Sequence, residues 1–332
     1  MKTLKSLLFL SCLLISISVN AQQQVFILHH NGNSTAYNDL DMAITFATNG
    51  DTIYLPGGEI DNSSVDLTKS ISLMGAGYNS LYTTATASTI FKNNFSIEDV
   101  NNVYITGVQF ENNLYLDNAQ SIFLERCWIG VASDLLRLSN SSIVLAQECI
   151  IENLSSLSNC VVLAQNCVIE DLNQATSSSF NNCILFEEST SNTGFWPSVT
   201  NSTFTNNIIC TSGLIYQEDQ NSYTHNVFTD SVQFGGGVVQ NNNVFRVGLT
   251  SLFVNVPDIN SFDEAYDYHL SNTSPAIGAG LNGADCGIYG GLDPFKAKGL
   301  PFNPHIESIF IPATTDANGD LHINATVEAQ DR

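Results

Sequence analysis

Between residues 100 and 250 the chain alternates short runs of Val, Ile, Leu and Phe with breaks rich in Asn, Ser and Gly, and the runs resemble one another. "AQECIIENL" at 146–154 returns as "AQNCVIEDL" at 164–172, eighteen residues later. The segments "YITGVQF", "FLERCWI", "LAQECII", "LAQNCVI", "SFNNCIL", "FTNNIIC", "YTHNVFT" and "VQNNNVF" align on Val108, Cys127, Cys149, Cys167, Cys183, Ile208, Val227 and Val244, in steps of 16 to 25 residues. Short alternating runs of this kind predict strands. A strand unit that recurs every ~20 residues predicts a solenoid in which each lap pairs with the next.

The residue before each aligned position is Gly107, Arg126, Glu148, Asn166, Asn182, Asn207, Asn226 or Asn243. Gly and Asn enter the left-handed backbone region most cheaply, so a tight bend is expected there on every lap, with the Asn side chains stacked in a ladder. Cys127, Cys149, Cys167 and Cys183 then share one inward position on four laps and predict a buried thiol column that packs as apolar matter. Disulfides between laps are not expected, because parallel neighbours hold Cβ atoms about 4.8 Å apart and a bridge prefers about 3.8 Å. The residues after the aligned positions, Trp128, Ile150, Val168, Ile184, Ile209, Phe228 and Phe245, should by alternation point outward. An apolar stripe of that length calls for a cover. The cover is expected either from the chain's own long turns or C-terminal hairpin, with Ile306, Ile309 and Ile311, or from a partner, a second copy or another surface protein, so that an oligomer could form through the stripe.

At the front, Asn38 or Asp39 is placed to cap a helix that aligns Leu40, Ala43, Ile44 and Ala47 on one face and breaks at Gly50. It reads as a lid over the first lap, which begins with "DTIYLP", followed by "SISLMGAG". At the back, alternating strands near 305–311 and 320–328 flank the turn "DANGD" and predict a hairpin. The helix followed by "NGDTIYLPGGEI" and "ISLMGAGYN" resembles the opening of right-handed parallel β-helix proteins of the pectin-lyase-like superfamily. "DYHLSNTSPAIGAGLNGADCGIYGG", 267–291, is similar to a closing motif of secreted bacterial β-helix proteins of unassigned function. The expected fold is therefore all-β, a right-handed parallel β-helix with an N-terminal capping helix and a C-terminal hairpin; the hand rests on the resemblance and on the general bias of parallel crossovers. The expected division is a signal peptide at 1–21, the β-helix with its cap and closing motif at 22–295, and a hairpin tail at 296–332.

The leader reading rests on Lys2 and Lys5, an apolar run from Leu7 to Val19 and a Val-Asn-Ala ending. It implies export, to the cell surface, the periplasm or the medium, and no later stretch reaches the roughly 18 to 20 apolar residues of a membrane span. Removing the two leader lysines from ten basic residues leaves 8 against 32 acidic ones, a net charge of −24. That field opposes nucleic acid and anionic lipid. It also opposes acidic polysaccharide unless calcium screens the contact. Seven cysteines remain after the leader, so at least one thiol has no partner within the chain.

Enzymes of the resembled superfamily imply two site designs: acidic calcium ligands beside an Arg or Lys that removes a proton α to a carboxylate, or three aspartates gathered across laps. The nearest approach here is Arg126 with Asp134, Arg137 and Glu148, all within about one lap. Arg stays protonated to above pH ~12, and a pair between Arg126 and Glu148 on the next lap accounts for both. The histidines show no metal-ligand spacing, and "TDANGD" at 315–320 lacks the distal Glu of a calcium loop. No metal site is assigned, and bound Ca2+ stays open only through Asn- and Asp-rich turns. The leading reading is a secreted, non-catalytic module that binds polysaccharide or a surface protein. A polysaccharide lyase or glycoside hydrolase with a diverged site and a structural envelope component stay open beside it.

Overall fold

The computed structural model describes residues 24–329, apart from 62–63, 131–134, 158, 188–197, 212–214, 218–219, 236, 259–261 and 303. The leader expected at 1–21 lies outside the described residues. No helix among those described is long and apolar enough to cross a membrane.

The chain is a parallel β-helix. A twelve-stranded sheet begins with two antiparallel pairs, Phe26–His30 between Asn33–Tyr37 and Thr52–Tyr54, and then climbs in parallel one lap at a time to Val239–Asn241. A fourteen-stranded sheet carries the return strands of the same laps. The quoted repeat is two successive laps: Ile143–Gln147 pairs residue for residue with Val161–Gln165, and Ile150 and Ile151 pair with Val168 and Ile169. The inward column of the first sheet runs Ile53, Leu73, Ile105, Leu124, Ala146, Ala164, Phe180, Phe204 and Tyr223. All are buried. Phe180, Phe204 and Tyr223 stack at 4.9 and 4.7 Å with nearly parallel planes, so the stack of laps also stacks rings.

From Gly107 onward the bend falls at one corner of each lap. Gly107, Arg126, Glu148, Asn166, Asn182, Asn206, His225 and Asn242 all have φ between 50° and 66°. The first five are the expected residues. From the sixth lap the expectation is one residue late: Asn207, Asn226 and Asn243 lie at the next position, the inward one that Cys127, Cys149, Cys167 and Cys183 occupy below them. The two residue types do the same work there. Each thiol points to a carbonyl one lap down, Cys183 Sγ to Ala164 O at 3.6 Å, and the amide of Asn207 donates to Phe180 O at 2.9 Å. The cysteine column is therefore a set of weak donors closing backbone acceptors as well as apolar packing. All seven cysteines among the described residues are free and buried.

The slip of one residue also corrects the stripe. Trp128, Ile150, Val168 and Ile184 do point outward, and Ile208, Val227 and Val244 continue them. Ile209 and Phe228 belong to the interior, and Phe245 stacks on Phe228 at 5.1 Å. The stripe is covered by its own chain. After the last lap, the described residues of 247–300 lie along the coils, and Phe253, Val256, Tyr268, Ile288 and Phe295 form a second apolar core with the stripe. The closing motif is thus a strap along the side of the helix. The C-terminal hairpin, His305–Phe310 with Asn324–Glu328, takes no part in this cover: its Ile309 and Ile311 are exposed.

At the front, the helix Leu40–Phe46 has Asp39 as its N-cap, accepting from Met42 N at 2.9 Å, and buries Leu40, Ala43 and Ile44 in the main core. Lys69 Nζ donates to the carbonyls of Ile44, Thr45 and Ala47 at the other end of the helix, which satisfies acceptors the last turn leaves open.

Candidate functional site

Alternation along each first-sheet strand turns a residue of each lap outward, four positions before the buried Val108, Cys or Asn: Tyr104, Phe123, Leu145, Leu163, then Ser179, Thr203 and Ser222. Two residues further on is a polar column, Glu125, Gln147, Gln165, Asn181, Thr205 and Thr224. The rings of Tyr104 and Phe123 stack at 5.2 Å and 28°. They floor one side of a cleft of about 450 Å3. The Tyr104 hydroxyl donates to Glu125, and Gln147 and Glu148 lie on the adjoining lap. The strap and the start of the tail supply the opposite wall, with Asp293 and Phe302. Burial first, and then the bonded Glu125 carboxylate, push the Tyr104 phenol well up, so it stays a donor.

Behind the cleft, Arg126 and Glu148 are the pair that the fold brings together among the described members of the expected quartet. Arg126 Nε donates to Glu148 Oε2 at 2.9 Å, both side chains are at most 1% exposed, and Arg126 Nη1 donates to Leu300 O at 3.1 Å. Lys296 N donates to the same Glu148 oxygen at 3.2 Å. Burial pushes the Glu148 carboxyl up, against the pull of Arg126. The guanidinium is thus held between a carboxylate and the strap, out of reach of a substrate proton. Arg137 stands on another strand, exposed and level with Tyr115 and Ser155. Asp134 lies outside the described residues. Among the described residues no three His, Cys, Asp or Glu side chains are grouped to hold a metal ion. In the "TDANGD" turn, Asp316 Oδ1 accepts from the backbone of Asn318 and Asp320, as a hairpin turn does.

The left-handed corner is where the strap is read. Asn166 Nδ2 donates to Ile288 O and Gly290 O at 2.7 and 2.8 Å, and Asn182 Nδ2 to Asp285 O and Gly287 O at 3.0 and 3.2 Å. Asn206 Oδ1 accepts from Leu281 N at 2.7 Å. Gly107 closes the row: a Cβ there would stand 2.8 Å from Pro301. Asn207, Asn226 and Asn243, the other expected ladder residues, are bonded to each other and to the interior backbone.

Sequence reasoning missed Tyr104, Phe123, Asp293 and Phe302. The recurrent outward residue four places before each aligned inward position, Val108 and Cys127 here, was a usable signal for the first two. The strap residues carried none, because their lap of contact depends on where a non-repeating segment lies.

No protein-family model matches the chain, and no curated protein matches it. Among solved structures, a Bacillus subtilis pectate lyase variant is similar over 55% of this chain and 58% of its own length, at 9% identity and a TM-score of 0.33. A polygalacturonate lyase fused with a self-assembling amphipathic peptide is similar over 54% and 58%, at 12% identity and a TM-score of 0.29. The chain therefore spans less than two thirds of either protein.

Proposed function

We propose that the chain is an exported β-helix module that binds a neutral polysaccharide along the outer face of its first sheet and does not cleave it. The observation that carries this reading is the stacked Tyr104–Phe123 pair flooring a cleft beside the Glu125–Gln147–Gln165 column. Sugar rings present apolar C–H faces that pack on aromatic rings, while their hydroxyls need acceptors and donors at the rim. Rows one lap apart recur about every 4.8 Å, a repeat that suits an extended chain better than a compact ligand. Glu125 and Asp293 give the cleft a negative character, which favours a neutral chain over a uronate polymer. The burial of Arg126 against Glu148 speaks against a role for this guanidinium as a base.

Affinity electrophoresis against neutral β-glucan, xylan and polygalacturonate tests the reading, with release of new sugar ends followed in parallel. Retardation by a neutral glycan is expected, weakened about tenfold by Phe123→Ala or Tyr104→Ala, in line with the loss of ring contacts worth roughly 0.5–1.5 kcal/mol beyond their area. Retardation by polygalacturonate alone, or sugar ends accumulating in proportion to protein and time, would overturn it.

A further inference from the structure

A second, smaller chamber of about 50 Å3 lies between the coils and the strap, apart from the cleft. Its walls are mainly aromatic: Tyr78 from the early laps and Phe262, Tyr266, Tyr268 and Tyr289 from the returning segment. Phe262 and Tyr268 stack at 5.2 Å, and Tyr266 leans on Tyr268 at 6.4 Å. Tyr289 has one face closed by His269 at 3.9 Å. The single acidic side chain on its wall is Glu264, which also reaches solvent, and no Lys or Arg lines it. Tyr78 is 2% exposed, and its buried hydroxyl has no hydrogen-bond partner. That oxygen is sealed from solvent and from the chamber, so Tyr78 contributes its ring to the wall.

We propose that this chamber binds a small organic ammonium group. The electron-rich ring faces attract a cation, and Glu264 supplies the opposite charge. A cavity needs ~10–15 Å3 on this measure to hold one water, so the chamber takes about four non-hydrogen atoms, the size of trimethylammonium. Burial and neighbouring Asp263 push the Glu264 carboxyl up, as expected of an acid that lacks its cation. The Trp128 indole, edge-on to both Tyr78 and Phe262 at 6.0 and 6.2 Å, holds the two halves of the chamber together.

Ligand-observed NMR titration of the whole protein with trimethylammonium chloride tests the proposal, with tert-butanol as the neutral compound of similar shape. Saturable binding is expected, at least tenfold tighter than that of tert-butanol. Glu264→Gln, on the surface, should weaken it about tenfold. Equal binding of the two compounds would make the chamber a plain apolar pocket and overturn the proposal. So would the absence of saturation, or an affinity unchanged in Glu264→Gln. Tyr104→Ala, in the separate cleft, should leave this titration unaltered.

Discussion

Glu170 occupies the position level with Glu152 on the lap below, and accepts a hydrogen bond from Phe262 N at 3.0 Å. Burial first, then the Glu152 carboxylate, push its carboxyl up to about 7. The folded protein therefore holds this proton more tightly than the unfolded chain does, where the value is about 4.3. The sign follows: between about pH 4.5 and 7 the folded state carries the extra proton, so stability falls as pH rises through that window and levels off above it. Glu170→Gln keeps an acceptor for Phe262 N and removes the charge. It should stabilise the protein at pH 8 by on the order of 1 kcal/mol, after discounting for solvent screening at a partly covered site, and by nothing near pH 4.5. Urea midpoints of both proteins across that range check it, and a gap that does not change with pH would refute it. The same residue scale explains why cysteine and asparagine share a column: each offers a donor to a carbonyl one lap down and an acceptor to a backbone N–H, as Cys167 Sγ does for Cys149 N at 3.4 Å and Asn207 Oδ1 for Cys183 N at 2.7 Å.

Among elements, the strap depends on the corner row. Its carbonyls at Asp285, Gly287, Ile288 and Gly290 face the coils, and the Asn166 and Asn182 amides satisfy them in a buried seam. Asn166→Ala would strand two buried acceptors and place Ala at a φ of 50°. The expected cost is about 2–4 kcal/mol, the sum of lost bonds and left-handed strain. Asn201 has a φ of 53° but is exposed, so Asn201→Ala should cost only about 1 kcal/mol. Chemical denaturation of both variants separates the two contributions. Equal losses would mean that the corner conformation matters and the strap contacts do not. Limited proteolysis should in addition cut within 276–300 in Asn166→Ala sooner than in the unaltered protein.

At the scale of the molecule, one solenoid core and one strap core lie back to back, and the C-terminal hairpin stands apart from both. Ile309, Phe310, Ile323 and Val327 are exposed, and a lone two-stranded hairpin is marginal in water. Removing residues 304–332 should therefore move the melting temperature by less than about 2 °C, measured by circular dichroism; a larger drop would show that the hairpin braces the coils. The parallel laps, the helix Leu40–Phe46 and the hairpin were legible in the sequence because each is written locally, in a period, a cap residue or a turn. The corner column was legible through Cys183 and then slipped by one. Asn206–Asn207 and Asn242–Asn243 present the same amide at the bend and at the inward position, so composition alone cannot choose between them. The Arg126–Glu148 pair was legible from lap spacing, whereas Tyr104 and Phe123 stood in the repeat without marking a cleft. What the sequence by itself determined is the lap, since pairing one strand on the next needs only a repeating alternation and a residue that bends cheaply. What the tertiary structure decided is which way the apolar stripe is covered and where a cavity opens. Those depend on a non-repeating segment whose position is set by shape and by buried hydrogen bonds to laps more than a hundred residues away.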